Sequence, residues 1–152
     1  MDYYLLADMT VQIGYELAVA GAETYRVEET MRRVIEAYGT EGQVFAIPNC
    51  VAVSFVTPNT KPLAIMKRVS YHGNDLERIE KLNALSRRIC AEVPEPQEAQ
   101  RWLKETTAAV RSYAVWTYYL GNFMAAAGFC CVFGGTVRDW LWAGLSGLII
   151  GF

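Results

Sequence analysis

The spacing of hydrophobic residues predicts two helices at the start of the chain. From Tyr3 to Ala20, apolar side chains recur with a period close to 3.6, and Gly21 follows as a natural stop, which is typical of an amphipathic helix. A second helix is predicted from Tyr25 to Tyr38, with Thr24 as its N-cap and Gly39 at its C-terminal end. Because only a short turn separates them, the two helices should form a hairpin.

Three segments rich in branched and aromatic residues follow, and they are predicted to be strands. In the third, the odd-numbered positions from Leu63 to Val69 are predicted to be packed and the even-numbered positions wetted. The turn before this strand is predicted from Pro58 to Pro62. The three strands are predicted at Val44–Pro48, Val51–Thr57 and Leu63–Tyr71.

Two further helices are predicted after the strands. The first starts at a cap formed by Asn74 or Asp75 and runs to about Glu92, where a stretch with two prolines interrupts it. The second begins near Gln97 and can continue into the next apolar segment, because no Gly or Pro occurs before Gly121. The predicted apolar face of the first consists of Leu76, Ile79, Leu82, Leu85 and Ile89.

The composition changes abruptly within the chain. Every Asp, Glu, Lys and Arg except Arg138 and Asp139 lies in residues 1–111, and the run of 26 residues from Ser112 to Val137 carries no charge. Because roughly 20 helical residues suffice to cross a bilayer core of about 30 Å, a membrane span is predicted at about residues 112–133. The alternative is a buried helix of a soluble domain, which a chain of this length is too short to surround.

Gly134 and Gly135 are predicted to end this helix in a tight turn, and a second apolar segment follows them. As a helix, the segment from Trp140 to Phe152 covers only about 20 Å, less than the bilayer core. Its last carbonyl groups would lie unsatisfied in lipid. The sequence therefore predicts two domains, residues 1–111 and a membrane part at 112–152, and a chain that is truncated within a second span.

Positive charge predicts the orientation of the span. Arg101, Lys104 and Arg111 precede it closely and only Arg138 follows it, so residues 1–111 are placed in the cytosol. The N-terminus lacks the features of a signal peptide, which agrees with this orientation. The predicted fold class is an α+β cytosolic domain of a helical hairpin, a small β-meander and further helices, followed by α-helical transmembrane segments.

Charge and residue types exclude several kinds of site. The formal net charge is only -2 and there is no basic block, so a nucleic-acid partner is not predicted. The four cysteines have no CxxC or zinc-ligand spacing and His72 is the single histidine, so no metal and no other cofactor is predicted. The chain has no GxSxG, P-loop or HExxH motif, and no catalytic residue is predicted.

The most distinctive segment has the sequence GAETYRVEETMRR and begins at Gly21. Carboxylates at a helix start with arginines one turn later suit a capped helix with surface ion pairs. The same residues can form a polar patch that binds a ligand or docks on membrane helices, and the spacing leaves both interpretations open. The candidates for this patch are Glu23, Thr24, Arg26 and Glu28.

Asn122 is the other candidate site residue. It lies inside the predicted span, where an amide needs a polar partner, so it is a candidate for a substrate path or a helix contact. Close helix packing is predicted from two small-residue spacings, Gly121-xxx-Ala125 and Gly147-xxx-Gly151.

Four segments, in this order, resemble the N-terminal half of the bacterial threonine/serine exporter family. They are GAETYRVEETMRR, FAIPNCVAVSFVT, DLERIEKLNALSRRI and FGGTVRDWLWAGLSGLIIG. Members of that family are multi-spanning inner-membrane proteins with a cytosolic N-terminal domain, and some are split into two cooperating polypeptides. The resemblance implies export of a small polar amino acid, or of a dicarboxylate such as succinate, across the bacterial cytoplasmic membrane.

The expected mechanism is alternating access by a secondary carrier rather than an enzymatic reaction, since there is no nucleotide-binding motif. Two alternatives stay open. The family's N-terminal domain has been described as hydrolase-like, which allows a membrane-tethered enzyme. The split members allow a non-catalytic chain that assembles with a second membrane subunit or with itself.

Overall fold

The α+β class predicted for the N-terminal part is confirmed by a computed structural model, which describes residues 1–57, 61–111 and 113–151. The chain divides into two units, Met1–Val110 and a second unit that begins at Arg111. The elements of the first unit are α1 (Tyr3–Val19), α2 (Thr24–Ala37), β1 (Gly42–Ile47), β2 (Cys50–Val56), β3 (Pro62–Arg68), α3 (Leu76–Glu92) and α4 (Pro96–Ala108).

Helix α1 is the centre of the first unit. It packs against α2, α3, α4, β2 and β3, so it is buried over much more of its circumference than the predicted amphipathic face. Each of its large apolar side chains contributes about 1.5–3 kcal/mol on burial. The helix approaches α2 closely at Gly14, where a Cβ atom would lie 2.2 Å from the Met31 sulfur. The largest of the buried side chains are Leu6, Met9, Ile13 and Leu17.

The predicted hairpin of α1 and α2 is confirmed, and its turn depends on Gly21. This residue has φ +89°, a conformation that glycine adopts without steric cost. The Gly21 and Ala22 N–H groups donate to the Ala18 and Leu17 carbonyl oxygens at 3.1 and 3.0 Å, which satisfies the end of α1. A Cβ at Gly21 would lie 2.4 Å from the Gly73 carbonyl oxygen, so any side chain would displace the loop that packs here.

The predicted N-cap of α2 is wrong by one residue. Glu23 is the N-cap, with an extended backbone (ψ 137°), and Thr24 is the first helical residue. The Glu23 carbonyl oxygen accepts from the Arg26 and Val27 N–H groups at 2.9 and 3.1 Å, so the helix starts there without a side-chain cap. Gly39 follows the C-cap as expected. One face of the helix is buried, and its residues are Val27, Met31, Val34 and Ile35.

The three strands form the predicted antiparallel meander in the order β1-β2-β3. Opposite residues share a face, as in the row Phe45, Ala52 and Met66 and in the row Val53 and Ile65. The inner face packs on the helices, and in β3 the odd-numbered positions are the more buried ones, as predicted. Residues 58–60 of the predicted turn from Pro58 to Pro62 lie outside the described residues.

Helices α3 and α4 close the first unit. Asp75 caps α3, because its Oδ1 accepts from the Arg78 N–H at 2.9 Å. Leu82, Leu85 and Ile89 are buried as predicted, but Leu76 is 74% exposed, since it occupies the first helical position, beyond the core.

The predicted continuity between α4 and the next helix is wrong. Helix α4 ends at Ala108 with Ala109 as its C-cap. The Lys81 Nζ donates to the Ala109 carbonyl oxygen at 2.7 Å, and a lysine in this position favours the end of a helix. The chain therefore stops the helix without glycine or proline.

The second unit contains α5 (Val115–Val132) and α6 (Val137–Ile150). Gly134, with φ +79°, follows the C-cap of α5 and ends it as predicted. Helix α6 begins three residues before the predicted Trp140, because Thr136 and Asp139 form a capping box that outweighs the polarity of this first turn. Within the described residues, α5 is long and apolar enough to cross a membrane, by length and composition, and no other helix is.

Candidate functional site

A groove of about 920 Å³ lies between α2 and α3 and takes in part of the GAETYRVEETMRR segment. Three arginines and two glutamates line it, together with hydroxyl, amide, thiol and small apolar groups. The groove is therefore suited to a polar ligand carrying charge. Its lining residues are Tyr25, Arg26, Glu29, Thr30, Arg33, Glu36, Ala37, Asn83, Ser86, Arg87, Cys90 and Ala91.

Two of the three groove arginines are paired on their own helix. Arg26 Nε lies 3.2 Å from a Glu23 carboxylate oxygen, and Arg33 Nη2 lies 2.6 Å from Glu29. Arg26 Nε also donates to the Tyr25 hydroxyl at 3.1 Å, and this hydroxyl, followed by the Glu23 charge, raises the pKa of the guanidinium. Arg87 makes no ion pair with any residue that the structure describes.

Cys90 in the groove lining and the neighbouring Tyr38 are neutral at physiological pH. Burial raises the pKa of the Cys90 thiol, an effect that the Arg33 charge partly offsets. Tyr38 donates to the Pro94 carbonyl oxygen at 2.7 Å, and burial raises the pKa of Tyr38 to about 12. A thiol with a raised pKa carries little thiolate and is a poor nucleophile. The groove thus favours binding over thiol chemistry.

The structure places the four residues of the predicted patch in two different environments. Glu23, Thr24 and Arg26 lie exposed at the first turn of α2, and Arg26 reaches into the groove. The side chains of Arg26 and Glu23 are 62% and 65% exposed. Exposed ion pairs contribute less than about 1 kcal/mol to stability, so the fold does not depend on this pair.

Glu28 points away from the groove and toward the sheet. Its Oε1 accepts from the Ala46 N–H of the edge strand β1 at 2.8 Å. The i,i+4 rule suggests an ion pair between Glu28 and Arg32. In the structure, Arg32 pairs instead with Glu36, at 3.9 Å. Glu28 therefore attaches the free edge of β1 to α2, a structural role that the spacing alone did not reveal.

Replacing Glu28 by alanine should lower the free energy of unfolding of residues 1–110 by about 1.5–3 kcal/mol, because a hydrogen bond to a charged acceptor is lost and the Ala46 N–H is left unsatisfied. Glu29→Ala is the matched control on the same helix, and it should cost no more than about 0.5 kcal/mol. Urea unfolding of the purified chain, followed by circular dichroism, measures both. Equal costs for the two variants would contradict the role assigned to Glu28.

Asn122 lies on α5, in the second unit. Its Nδ2 donates to the Tyr118 carbonyl oxygen one turn earlier at 3.0 Å, so the amide is partnered within its own helix. A Cβ placed on Gly151, the C-cap of α6, would lie 2.7 Å from this nitrogen. Asn122 is thus in close contact with the end of α6.

The sequence interpretation missed a buried polar network. Glu16 of α1 is 8% exposed, and its carboxylate pairs with Arg78 of α3 and accepts from Gln12 Nε2 at 2.6 Å. Lys67 of β3 donates to Gln12 and lies 4.1 Å from the centre of the Tyr15 ring. The carboxylate within the apolar run of α1 is the signal that could have revealed it. The network joins α1, α3 and β3.

The ring of His72, the single histidine, contacts the backbone of α1. Its Nδ1 lies 3.2 Å from the Ala18 carbonyl oxygen, in the loop that precedes α3. Within residues 1–57, 61–111 and 113–151, no group of three His, Cys, Asp or Glu side chains is arranged to bind a metal ion.

Comparison with known proteins gives two matches. The family model described as "Putative threonine/serine exporter" matches residues 8–152. A protein of Mycobacterium tuberculosis described as "Probable threonine/serine exporter" is 25% identical over 146 residues, which cover 95% of this chain. The chain spans 27% of the length of that relative. No solved structure matches the chain.

Proposed function

Because this chain belongs to the threonine/serine exporter family, we propose that it forms the N-terminal part of a secondary exporter for a small polar amino acid of the threonine/serine type, or for a dicarboxylate. The family match over residues 8–152 is the observation that carries the proposal. It assigns the chain to a transporter family rather than to an enzyme class. The neutral Cys90 agrees with this, since a protonated thiol is a poor nucleophile.

In this proposal α5 crosses the bacterial cytoplasmic membrane and residues 1–111 lie in the cytosol. The length of α5, 18 residues, is close to the roughly 20 that a bilayer core requires. Its side chains are largely exposed, as those of a lipid-facing helix are: Trp116, Met124 and Phe129 are examples. The proposed partners are the lipid bilayer, the exported solute, and a second membrane subunit or a second copy of the chain.

The exposed end of the groove is proposed as the contact between the cytosolic domain and the transport path. Glu23, Thr24 and Arg26 offer a carboxylate, a hydroxyl and a guanidinium on one helical turn, and the fold does not need the Arg26–Glu23 pair. A zwitterionic amino acid or a carboxylate is recognised by such groups. Glu28 holds this part of α2 against the sheet, because its carboxylate accepts a hydrogen bond from the Ala46 N–H of β1.

The test is the double substitution Glu23→Ala with Arg26→Ala in the native gene. Efflux of radiolabelled threonine or serine should fall at least about tenfold, the effect of losing about 1.4 kcal/mol of binding, while the amount of protein in the membrane stays constant. The matched control is Glu98→Ala with Arg101→Ala, another i,i+3 pair at 3.2 Å on α4. Efflux equal to the control would remove this turn from the transport mechanism.

A further inference from the structure

Part of the outer face of the β-sheet is apolar and exposed. Phe45 of β1 is 56% exposed and Met66 of β3 is 73% exposed, and they flank Ala52 in one cross-strand row. Ile47 extends the apolar surface into the adjoining row, with Cys50 and Arg68. The row on the other side consists of Gln43, Ser54 and Ala64, so Val56 lies beyond two exposed polar side chains. We call all these residues the outer sheet face. A cluster of exposed apolar side chains is a candidate contact surface.

The charge on this face has one sign. Arg68 is its charged member, in the row with Ile47 and Cys50, and none of the outward positions of the three strands is a carboxylate. Arg68 forms no ion pair with the residues that the structure describes. An occupant that is both apolar and negatively charged complements this face.

The small area of the face limits what can occupy it. Three strands about 4.8 Å apart and about 20 Å long present roughly 300 Å². A stable complex between two proteins buries about 800 Å² on each partner. A second copy held by this face alone would therefore dissociate. A surface to which the domain is already tethered needs far less contact, because the tether supplies a high effective concentration.

We propose that the outer sheet face rests on the headgroup region of a bilayer that contains anionic lipid. Phe45, Ile47 and Met66 would enter the boundary between headgroups and acyl chains, and Arg68 would pair with lipid phosphate. This inference rests on the proposed function, because insertion of α5 is what holds residues 1–110 near the membrane. It gives the cytosolic domain a defined orientation on the membrane surface.

The experiment places one fluorophore on the face in the full chain, with the four native cysteines replaced by serine. Met66→Cys carries an NBD label, Glu80→Cys on the exposed surface of α3 is the control, and Met124→Cys reports on α5. The proteins are reconstituted in vesicles of phosphatidylcholine and phosphatidylglycerol, in which some lipid carries a nitroxide near the headgroup, to report on residues 66 and 80, or in a parallel sample deep in the acyl chain, to report on residue 124 near the middle of α5. Circular dichroism verifies that each variant is folded.

The label at residue 66 should emit at shorter wavelength than the label at residue 80, and nitroxide lipid should quench it. Adding Arg68→Gln, or omitting phosphatidylglycerol, should lower the quenched fraction up to about fivefold, the effect of losing one arginine near an anionic surface. An unshifted, unquenched label at residue 66 overturns the inference. A shifted but unquenched label also overturns it, and indicates a second copy if the shift depends on protein density, or another protein segment if it does not.

The label at residue 124 separates this inference from the proposed function. If nitroxide lipid quenches residue 124 but not residue 66, α5 is in the membrane and only the inference about the sheet face fails. If residue 124 is not quenched, the membrane placement of α5 fails first, and the proposed function fails with it.

Discussion

Replacing Glu16 by alanine should lower the free energy of unfolding of residues 1–110 by about 3 kcal/mol or more, because it removes one partner of a buried ion pair. The Glu16 carboxylate pairs with Arg78 and accepts from Gln12, and the Arg78 Nε is already buried without a partner among the described residues. Without Glu16, the Arg78 guanidinium stays partly buried and uncompensated. Urea unfolding of the full chain, followed by circular dichroism, measures the loss.

The controls for Glu16 separate the charge from the side-chain volume. Glu29→Ala removes an exposed carboxylate and should cost no more than about 0.5 kcal/mol. The double variant Glu16→Leu with Arg78→Met removes both charges and fills the volume, and it should recover most of the loss, since apolar pairs replace buried ion pairs at little cost. If Glu16→Ala costs no more than Glu29→Ala, the network does not stabilise the first unit.

The network also shows where sequence reasoning stops. The helix stops at Gly21 and Gly134 were predictable because they are local: a positive φ directly after a helix needs only the neighbouring residues. The Asp75 cap was predictable for the same reason. Glu16 is visible in the sequence as a carboxylate within an apolar run, but its partner Arg78 lies 62 positions away, and no local rule selects it.

In the candidate site, too, some contacts follow from local sequence and others do not. The exposed pair of Glu23 and Arg26 follows from helical spacing. For Glu28, helical spacing is equally consistent with a surface ion pair. Its hydrogen bond from the Ala46 N–H forms only because β1 packs beside α2, which local spacing does not predict. The end of α4 was missed because the cap comes from Lys81 of another helix.

The contact between α5 and α6 was also predictable only in part from the sequence. Of the two predicted small-residue spacings, Gly147-xxx-Gly151 lies at the contact, because Cβ atoms there would lie 2.5 and 2.7 Å from Asn122 atoms. Gly121 does not lie there, since a Cβ would meet no atom within 4 Å. The spacing identifies residues that permit close approach, but which spacing is used depends on how the two helices face each other.

Gly147→Ala should therefore destabilise the packing of α5 on α6 by about 1–3 kcal/mol, the usual cost of overpacking. The new Cβ would lie 2.5 Å from the Asn122 carbonyl oxygen and 2.8 Å from the Ala126 Cβ. Both are fixed by the backbone of α5, so the helices would have to move apart. The thermal midpoint of the purified full chain in detergent, together with its abundance in the membrane fraction, reports the loss.

Gly128→Ala is the matched control on α5, because a Cβ at this position would meet no atom within 4 Å. Alanine is a better helix former than glycine by about 1 kcal/mol, so this variant should be as stable as the native chain or slightly more stable. Both variants replace glycine by alanine, so changes in stability of opposite sign would separate the effect of the helix contact from that of helix propensity. If both substitutions act alike, α5 and α6 do not pack through Gly147, and Asn122 is then available for the substrate path suggested by the sequence.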